Sequence, residues 1–232
     1  MKEKNGYTIE RFESIASTND YAKARRGEKR DLIVIARSQT GGRGTKGRSF
    51  SSAEGGLYLT ALTFYENFPA ERAFTIMQNA AAAVCETLVG FGLAPKIKWP
   101  NDIYVNGKKI CGILIENTFS GGNVASSIVG IGLNIRNELP EELADIATTV
   151  RAEGKDVSVA AAEEALIGKL CEKATAKKYG GYLGWLGEET TLLVGEEKRR
   201  AKLLGVDAAG ALIAETEKGV ETFASAEVSL RI

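Results

Sequence analysis

Apolar residues fall in short runs whose spacing changes along the chain. DLIVIARS (31–38) and GLYLTALTF (56–64) are rich in β-branched and aromatic residues and predict strands. From Pro69 to Val89 the period lengthens. Phe74, Met77, Ala81, Val84 and Leu88 recur at helical spacing, and Gly90 and Gly92 stop the helix. KIKW (96–99), IYV (103–105), KICGILIE (109–116) and VASSIVGIGLNI (124–135) predict further strands. Asn106-Gly107 predicts a type I′ hairpin, and Ser120 to Asn123 a turn. Ser17 reads as the N-cap of a short helix closed by Gly27, and a second helix covers roughly 158–178. From there to the end, short strands alternate with turn residues, which predicts a small β-barrel packed on the main domain. The expected division is 1–188 and 189–232, in an α+β fold with a mixed sheet backed by helices.

Composition narrows the chemistry. No segment approaches the roughly 20 apolar residues of a membrane span, and the start lacks the apolar core of a signal peptide. Lys plus Arg equals Asp plus Glu, at 30 each, so a bulk nucleic-acid binder is disfavoured. Cys85, Cys111 and Cys171 are far apart in apolar surroundings, as buried free thiols of a reducing compartment would be. The chain has no histidine. Ser-His-Asp and Cys-His machinery, His-containing zinc sites and the HRD loop of a kinase are excluded. An enzyme of this composition works by positioning and fixed charge.

SQTGGRGTKGRSFSS (38–52) carries four glycines and three cations, Arg43, Lys46 and Arg48. Gly42-x-Gly44-x-x-Gly47 fits a dinucleotide fingerprint, and Gly42-x-x-x-x-Gly47-Arg48-Ser49 is one residue from a Walker A loop. Both require a helix after the loop to hold the phosphate. Here β-rich GLYLTALTF follows, so the loop joins two strands. It reads as an anion nest ringed by cations, or as a solvated flexible loop.

Three further clusters stand out. Lys98-Trp99-Pro100-Asn101-Asp102 is a rigid turn in which Pro100 forces Trp99 to be extended, or simply a surface turn with a packed Trp. Gly107-Lys108-Lys109 opens KICGILIE. Strict alternation places Lys109 on the face of Cys111, Ile113 and Ile115, either snorkelling to water or serving a site. Gly130-Ile131-Gly132-Leu133-Asn134 reads as a bulge, a tight strand end, or a close approach to a ligand, with Asn134 placed to meet a base edge.

Taken in order, these segments resemble the biotin protein ligases. GRGTKGRSF resembles that family's GRGRxGRxW loop, KWPND is its own pentapeptide, and KKICGILIE and GIGLNI resemble its next two strands. Ser17-Thr18-Asn19 and EVSLR (227–231) match in kind and order. The resemblance implies a core related to class II aminoacyl-tRNA synthetases and a C-terminal SH3-like barrel. It implies activation of biotin by ATP as biotinyl-5′-AMP, then transfer to a lysine of a biotin carboxyl carrier protein or carboxylase subunit. It assigns Arg43, Arg48 and Lys109 to the charge that develops on phosphate. Ser17, Thr18, Asn19, Gln39, Gly42, Arg43, Gly44, Thr45 and Lys109 would hold biotin. Lys98, Trp99, Asn101, Asp102 and Asn134 would hold ATP, with Asp102 on Mg²⁺. A cytoplasmic monomer or homodimer is expected, with neither membrane nor DNA as partner, because Ser17-Thr18-Asn19 comes too early for a preceding helix-turn-helix.

Two positions depart from the pattern. Thr45 stands where many members place a second Arg, and Phe50 where the pattern has Trp. Phe50 keeps an aromatic. Thr45 removes one cation, and in an extended segment Lys46 would point away from it, so the adenylate is expected to be held less tightly. The alternative readings are a lipoate or octanoate ligase or transferase of the same superfamily, and a nucleic-acid-binding module. KWPND and the glycine loop speak against the first, and balanced charge with few aromatics near the loop against the second.

Overall fold

The structure is a computed structural model. It describes residues 2–4, 6–172, 176–195, 197–224 and 228–231, with side chains for all of these except 2–4, 46, 176, 177 and 228–231. All side chains of EVSLR (227–231) therefore lie outside the described ones.

Eight strands form the main sheet: β1 (Lys2–Lys4), β2 (Tyr7–Ile15), β3 (Leu32–Gln39), β4 (Leu57–Phe64), β5 (Lys96–Lys98), β6 (Asp102–Val105), β7 (Lys108–Ser120) and β8 (Asn123–Leu133). Their order is β1-β2-β3-β4-β8-β7-β6-β5, and among the described residues only the β2–β3 strand pair is parallel, so the sheet is mixed. The hairpin between β6 and β7 turns through Asn106 (φ 48°) and Gly107 (φ 80°), the left-handed pair a type I′ turn requires.

β3 is buried along both faces, which explains its unbroken apolar run. Ile33 and Ile35 face a large core shared with α2 (Phe74–Gly90), α3 (Val159–Cys171) and α4 (Ala176–Tyr182). Leu32 and Val34 face a smaller cluster under α1 (Thr18–Ala24), with Ala22, Leu62 and Ile128. Helix α2 is buried on nearly every side through Ala80–Cys85, because α3 and α4 cover its outer face. Gly92 (φ 74°) closes it in a left-handed turn, its N–H reaching Val89 O at 2.8 Å.

Several expectations are corrected. Gly27 does not cap α1. It lies within a 3₁₀ turn (Arg26–Glu28), and Lys29 (φ 50°) makes the left-handed stop. The single helix expected at 158–178 is broken, because Glu172 is extended (ψ 136°) and α4 starts at Ala176. Thr45–Gly47 is a 3₁₀ turn, so alternation does not set the direction of Lys46.

The C-terminal unit corrects the barrel. β9 (Glu189–Val194), β10 (Glu197–Val206), β11 (Leu212–Thr216), β12 (Gly219–Phe223) and β13 (Val228–Arg231) form an antiparallel sheet in the order β12-β11-β10-β9-β13. It is open: β13 pairs with β9, and β12 and β13 remain at opposite edges. The sheet need not close on itself, because its apolar face is filled from outside. Trp99 of the main unit packs with Leu192, Ala201, Leu203, Leu212, Ala214 and Phe223. The Trp99 Nε1–H donates to Gly210 O at 3.0 Å.

Candidate active site

The site lies on the α1 face of the main sheet, between α1, the glycine loop and the strands β7 and β8. The loop folds back as a small hairpin. Gly44 N donates to Arg48 O at 2.7 Å, Phe50 N to Gly42 O at 2.9 Å, and Gln39 N to Ser52 O at 3.1 Å. A Cβ at Gly42 would lie 2.4 Å from Phe50 O, so the crossing requires glycine there. β4 follows, not a helix, in keeping with a nest that joins two strands.

A cavity under this loop brings together Ser17, Thr18, Asn19, Gln39, Arg43, Gly44, Thr45, Asn101, Asp102 and Lys109. These come from five separate stretches of the sequence. The floor is flat because Gly112, Gly130 and Gly132 carry no side chain. A Cβ at Gly132 would sit 2.5 Å from the Phe50 ring, and one at Gly130 2.1 Å from Asn19 Oδ1.

Lys109 arrives by a bulge. Ile103 pairs with Cys111 and Tyr104 with Lys109, which leaves Ile110 unopposed. Ile110 and Cys111 both enter the core, and Lys109 is turned to the face of Gly112. This overturns the expected alternation with Cys111 and Ile113. Lys109 Nζ meets Asp102 Oδ1 at 2.7 Å, both side chains half-buried. Burial pushes the Cys111 thiol well above its ordinary range, so the sulfur beside Lys109 in sequence is not a thiolate nucleophile.

Asn101 locks the turn, accepting Ile113 N–H at 3.1 Å on its backbone and donating Nδ2 to Ile113 O at 2.7 Å. Arg43 and Arg48 are held lightly. Arg43 pairs with Asp20 at 2.9 Å in an exposed contact, and Arg48 donates to Thr45 Oγ1 at 3.3 Å. Exposed pairs of this kind are worth little, so either guanidinium is readily redirected to an anion. Arg48 lines an adjoining cavity shared with Arg43, Gly44 and Leu114.

Besides Arg48, four residues expected at the site do not line this cavity: Gly42, which makes the loop crossing, and Trp99, Lys98 and Asn134. Trp99 is buried against the C-terminal sheet. Lys98 Nζ lies 3.4 Å from Tyr104 OH, above that ring. Asn134 donates Nδ2 to Thr148 O at 3.1 Å and accepts from Asn137, bracing the segment whose Thr148 N–H and Ile146 O pair with the Lys109 backbone. Sequence reasoning missed Phe50 as a wall of the cavity and Thr60 as a hydroxyl beneath it. For Thr60 the signal was a polar residue inside the apolar run LYLTALTF.

The cavity thus holds the Lys109–Asp102 ion pair beside Gly112, and the neutral donors and acceptors of Thr18, Asn19 and Gln39 toward Gly130. Residues 11–134 match the Biotin/lipoate A/B protein ligase family, and residues 185–231 match the Biotin protein ligase C terminal domain. The chain belongs to the biotin/lipoate A/B protein ligase family. Within this family it is 34% identical over 218 residues to the bifunctional ligase/repressor BirA of Bacillus subtilis, covering 85% of this chain and 66% of that protein. It is 29% identical over 232 residues to BirA of Escherichia coli, covering 94% and 72%. Its fold matches a biotin protein ligase from Aquifex aeolicus in complex with biotin and ATP, with a TM-score of 0.80 and 32% identity over 97% of this chain and 98% of that one. Among the described residues, no helix is long and apolar enough to cross a membrane.

Proposed function

We propose that the chain is an ATP-dependent biotin protein ligase. It activates biotin as biotinyl-5′-AMP and transfers the biotinyl group to one lysine of a biotin carboxyl carrier protein or carboxylase subunit, in the cytoplasm. The observation that carries this reading is a single cavity with Lys109 at one end and Thr18, Asn19 and Gln39 at the other. A ureido ring uses the neutral end and a carboxylate the Lys109 end. Lipoate and octanoate have no group to pair with the neutral end and would leave it unsatisfied, which disfavours them.

The chemistry follows from placement. A carboxylate oxygen of biotin attacks the α-phosphorus of ATP, and pyrophosphate leaves with the electron pair of the broken P–O bond. Lys109 brings the two anions together and offsets charge on the α-phosphate, assisted by Arg43 and Arg48 from the loop. ATP enters with Mg²⁺. Asp102 lies on the cavity wall, where its carboxylate would reach the ion alongside the triphosphate. An acceptor lysine then attacks the acyl carbon and AMP leaves. Residues 1–188 carry this chemistry, and 189–232 support it through Trp99.

The test is an incubation with MgATP, biotin and a purified carrier domain, read by intact mass. One biotinyl group is expected on the carrier, and none when its acceptor lysine is replaced by Arg. Modification by lipoate or octanoate but not by biotin would reject the reading.

A further inference from the structure

Beneath the cavity lies a hydroxyl that no motif marks. Thr60 is fully buried on β4, directly across the ladder from Gly130 of β8. Its Oγ1 lies 2.6 Å from Asn19 Oδ1 and 2.8 Å from Thr18 Oγ1. Thr18 Oγ1 is in turn 3.0 Å from Gln39 Oε1, which also accepts the Thr18 backbone N–H at 2.9 Å.

Counting protons fixes the direction of this chain. Each hydroxyl has one proton to give, and an amide oxygen has none. Asn19 Oδ1 only accepts, so the Thr60 proton goes there. Thr18 gives its own proton to Gln39 Oε1, whose two lone pairs accept both the Thr18 hydroxyl and the Thr18 N–H. Lone pairs of Thr18 Oγ1 are left for the cavity. The Asn19 amide is held with its oxygen toward Thr60, and its buried Nδ2 has no hydrogen-bond partner among the described residues. The amide fits there only because residue 130 is glycine: a Cβ would stand 2.1 Å from Oδ1 and 2.8 Å from Nδ2.

We infer that Thr60 is a positioning residue that sets the hydrogen-bond polarity of the biotin floor. It fixes one donor, Asn19 Nδ2, beside one acceptor, Thr18 Oγ1, whose proton Gln39 holds. That pair is complementary to the adjacent N–H and C=O of a ureido ring. The inference rests on the biotin reading above and adds the residue that makes the cavity selective for that group. Without the Thr60 hydroxyl, the Asn19 amide can rotate to present its oxygen.

Adenylate formation by the wild type, Thr60→Val and Thr60→Ser tests this with three substrates. Biotin is the reference, desthiobiotin keeps the ureido group without the sulfur, and 2-iminobiotin donates where the biotin carbonyl accepts. Thr60→Val is expected to raise KM for biotin and for desthiobiotin by about 10- to 100-fold, the scale of one buried polar group left unpaired, with KM for ATP unchanged. The preference for biotin over 2-iminobiotin should shrink by about tenfold, and Thr60→Ser should restore both values. Equal losses on all three substrates, an unchanged KM for biotin, or no rescue by Ser overturns the role of Thr60 and leaves the ligase reading standing. A wild type that does not activate biotin overturns both. If Thr60→Val does not fold, Asn19→Asp decides. Its acceptor-only carboxylate should tilt the preference toward 2-iminobiotin, and an unchanged preference overturns the inference.

Discussion

Lys109 Nζ lies 2.7 Å from Asp102 Oδ1, and the two side chains come from adjacent strands of one hairpin. Asp102 therefore aims the ammonium across the Gly112 floor instead of letting it swing to water. Asp102→Asn is expected to slow adenylate formation on the order of tenfold to a hundredfold, as for a lost charge-assisted hydrogen bond of about 1.5–3 kcal/mol. Biotin affinity by calorimetry should be preserved. An unchanged rate of adenylate formation would show that the pair does not aim Lys109.

Trp99 joins the two sheets. Its indole fills the open face of the C-terminal sheet and donates to Gly210 O. Trp99→Ala should cost about 3–5 kcal/mol in urea unfolding, the scale for deleting a buried aromatic, and Trp99→Phe about 1 kcal/mol for the lost hydrogen bond. A Trp99→Ala protein as stable as the wild type would contradict this anchoring role.

Gly130→Ala places a methyl group where the Asn19 amide lies. The amide must move and carry the donor Nδ2 with it. Biotin binding is expected to weaken by about tenfold or more, with the melting temperature little changed, since the atoms displaced belong to the ligand side of the sheet. Equal biotin affinity in the two proteins would show that Asn19 is not held as described.

Thr45 lines the cavity and accepts from Arg48, so an anion under the loop would meet one cation fewer than an Arg at that position would supply. Thr45→Arg should slow release of biotinyl-adenylate by about one to two decades, the worth of one charged hydrogen bond, and leave its formation largely intact. Stopped-flow release gives the comparison, and equal rates would show that the backbone nest does the holding.

The sequence was most readable where one local signal decided the outcome. Asn106-Gly107 specified its turn, and the β-run after the glycine loop removed both literal phosphate motifs. It failed where a distant contact decided. The bulge at Ile110 is set by pairing with β6 and by the segment 146–148, neither visible in KKICGILIE, and it moved Lys109 to the opposite face. The C-terminal strands look like a barrel because their apolar face needs a cover, but Trp99 supplies it from some ninety residues earlier. Thr60 was hidden by the run that buries it: alternation marks a residue as inside, not as facing a ligand. The site residues were legible chiefly through resemblance, and their roles toward biotin and ATP are proposals that rest on where the fold places them.

The most direct test of the central claim is adenylate formation from α-labelled ATP and biotin by the wild type and by Lys109→Ala. The account predicts a biotin-dependent, acid-labile biotinyl-adenylate in the wild type, and a rate lower by about two to three orders of magnitude in the variant, as for loss of a charge-stabilising donor. An adenylate that forms as fast without Lys109, or that forms with lipoate and not with biotin, would contradict it.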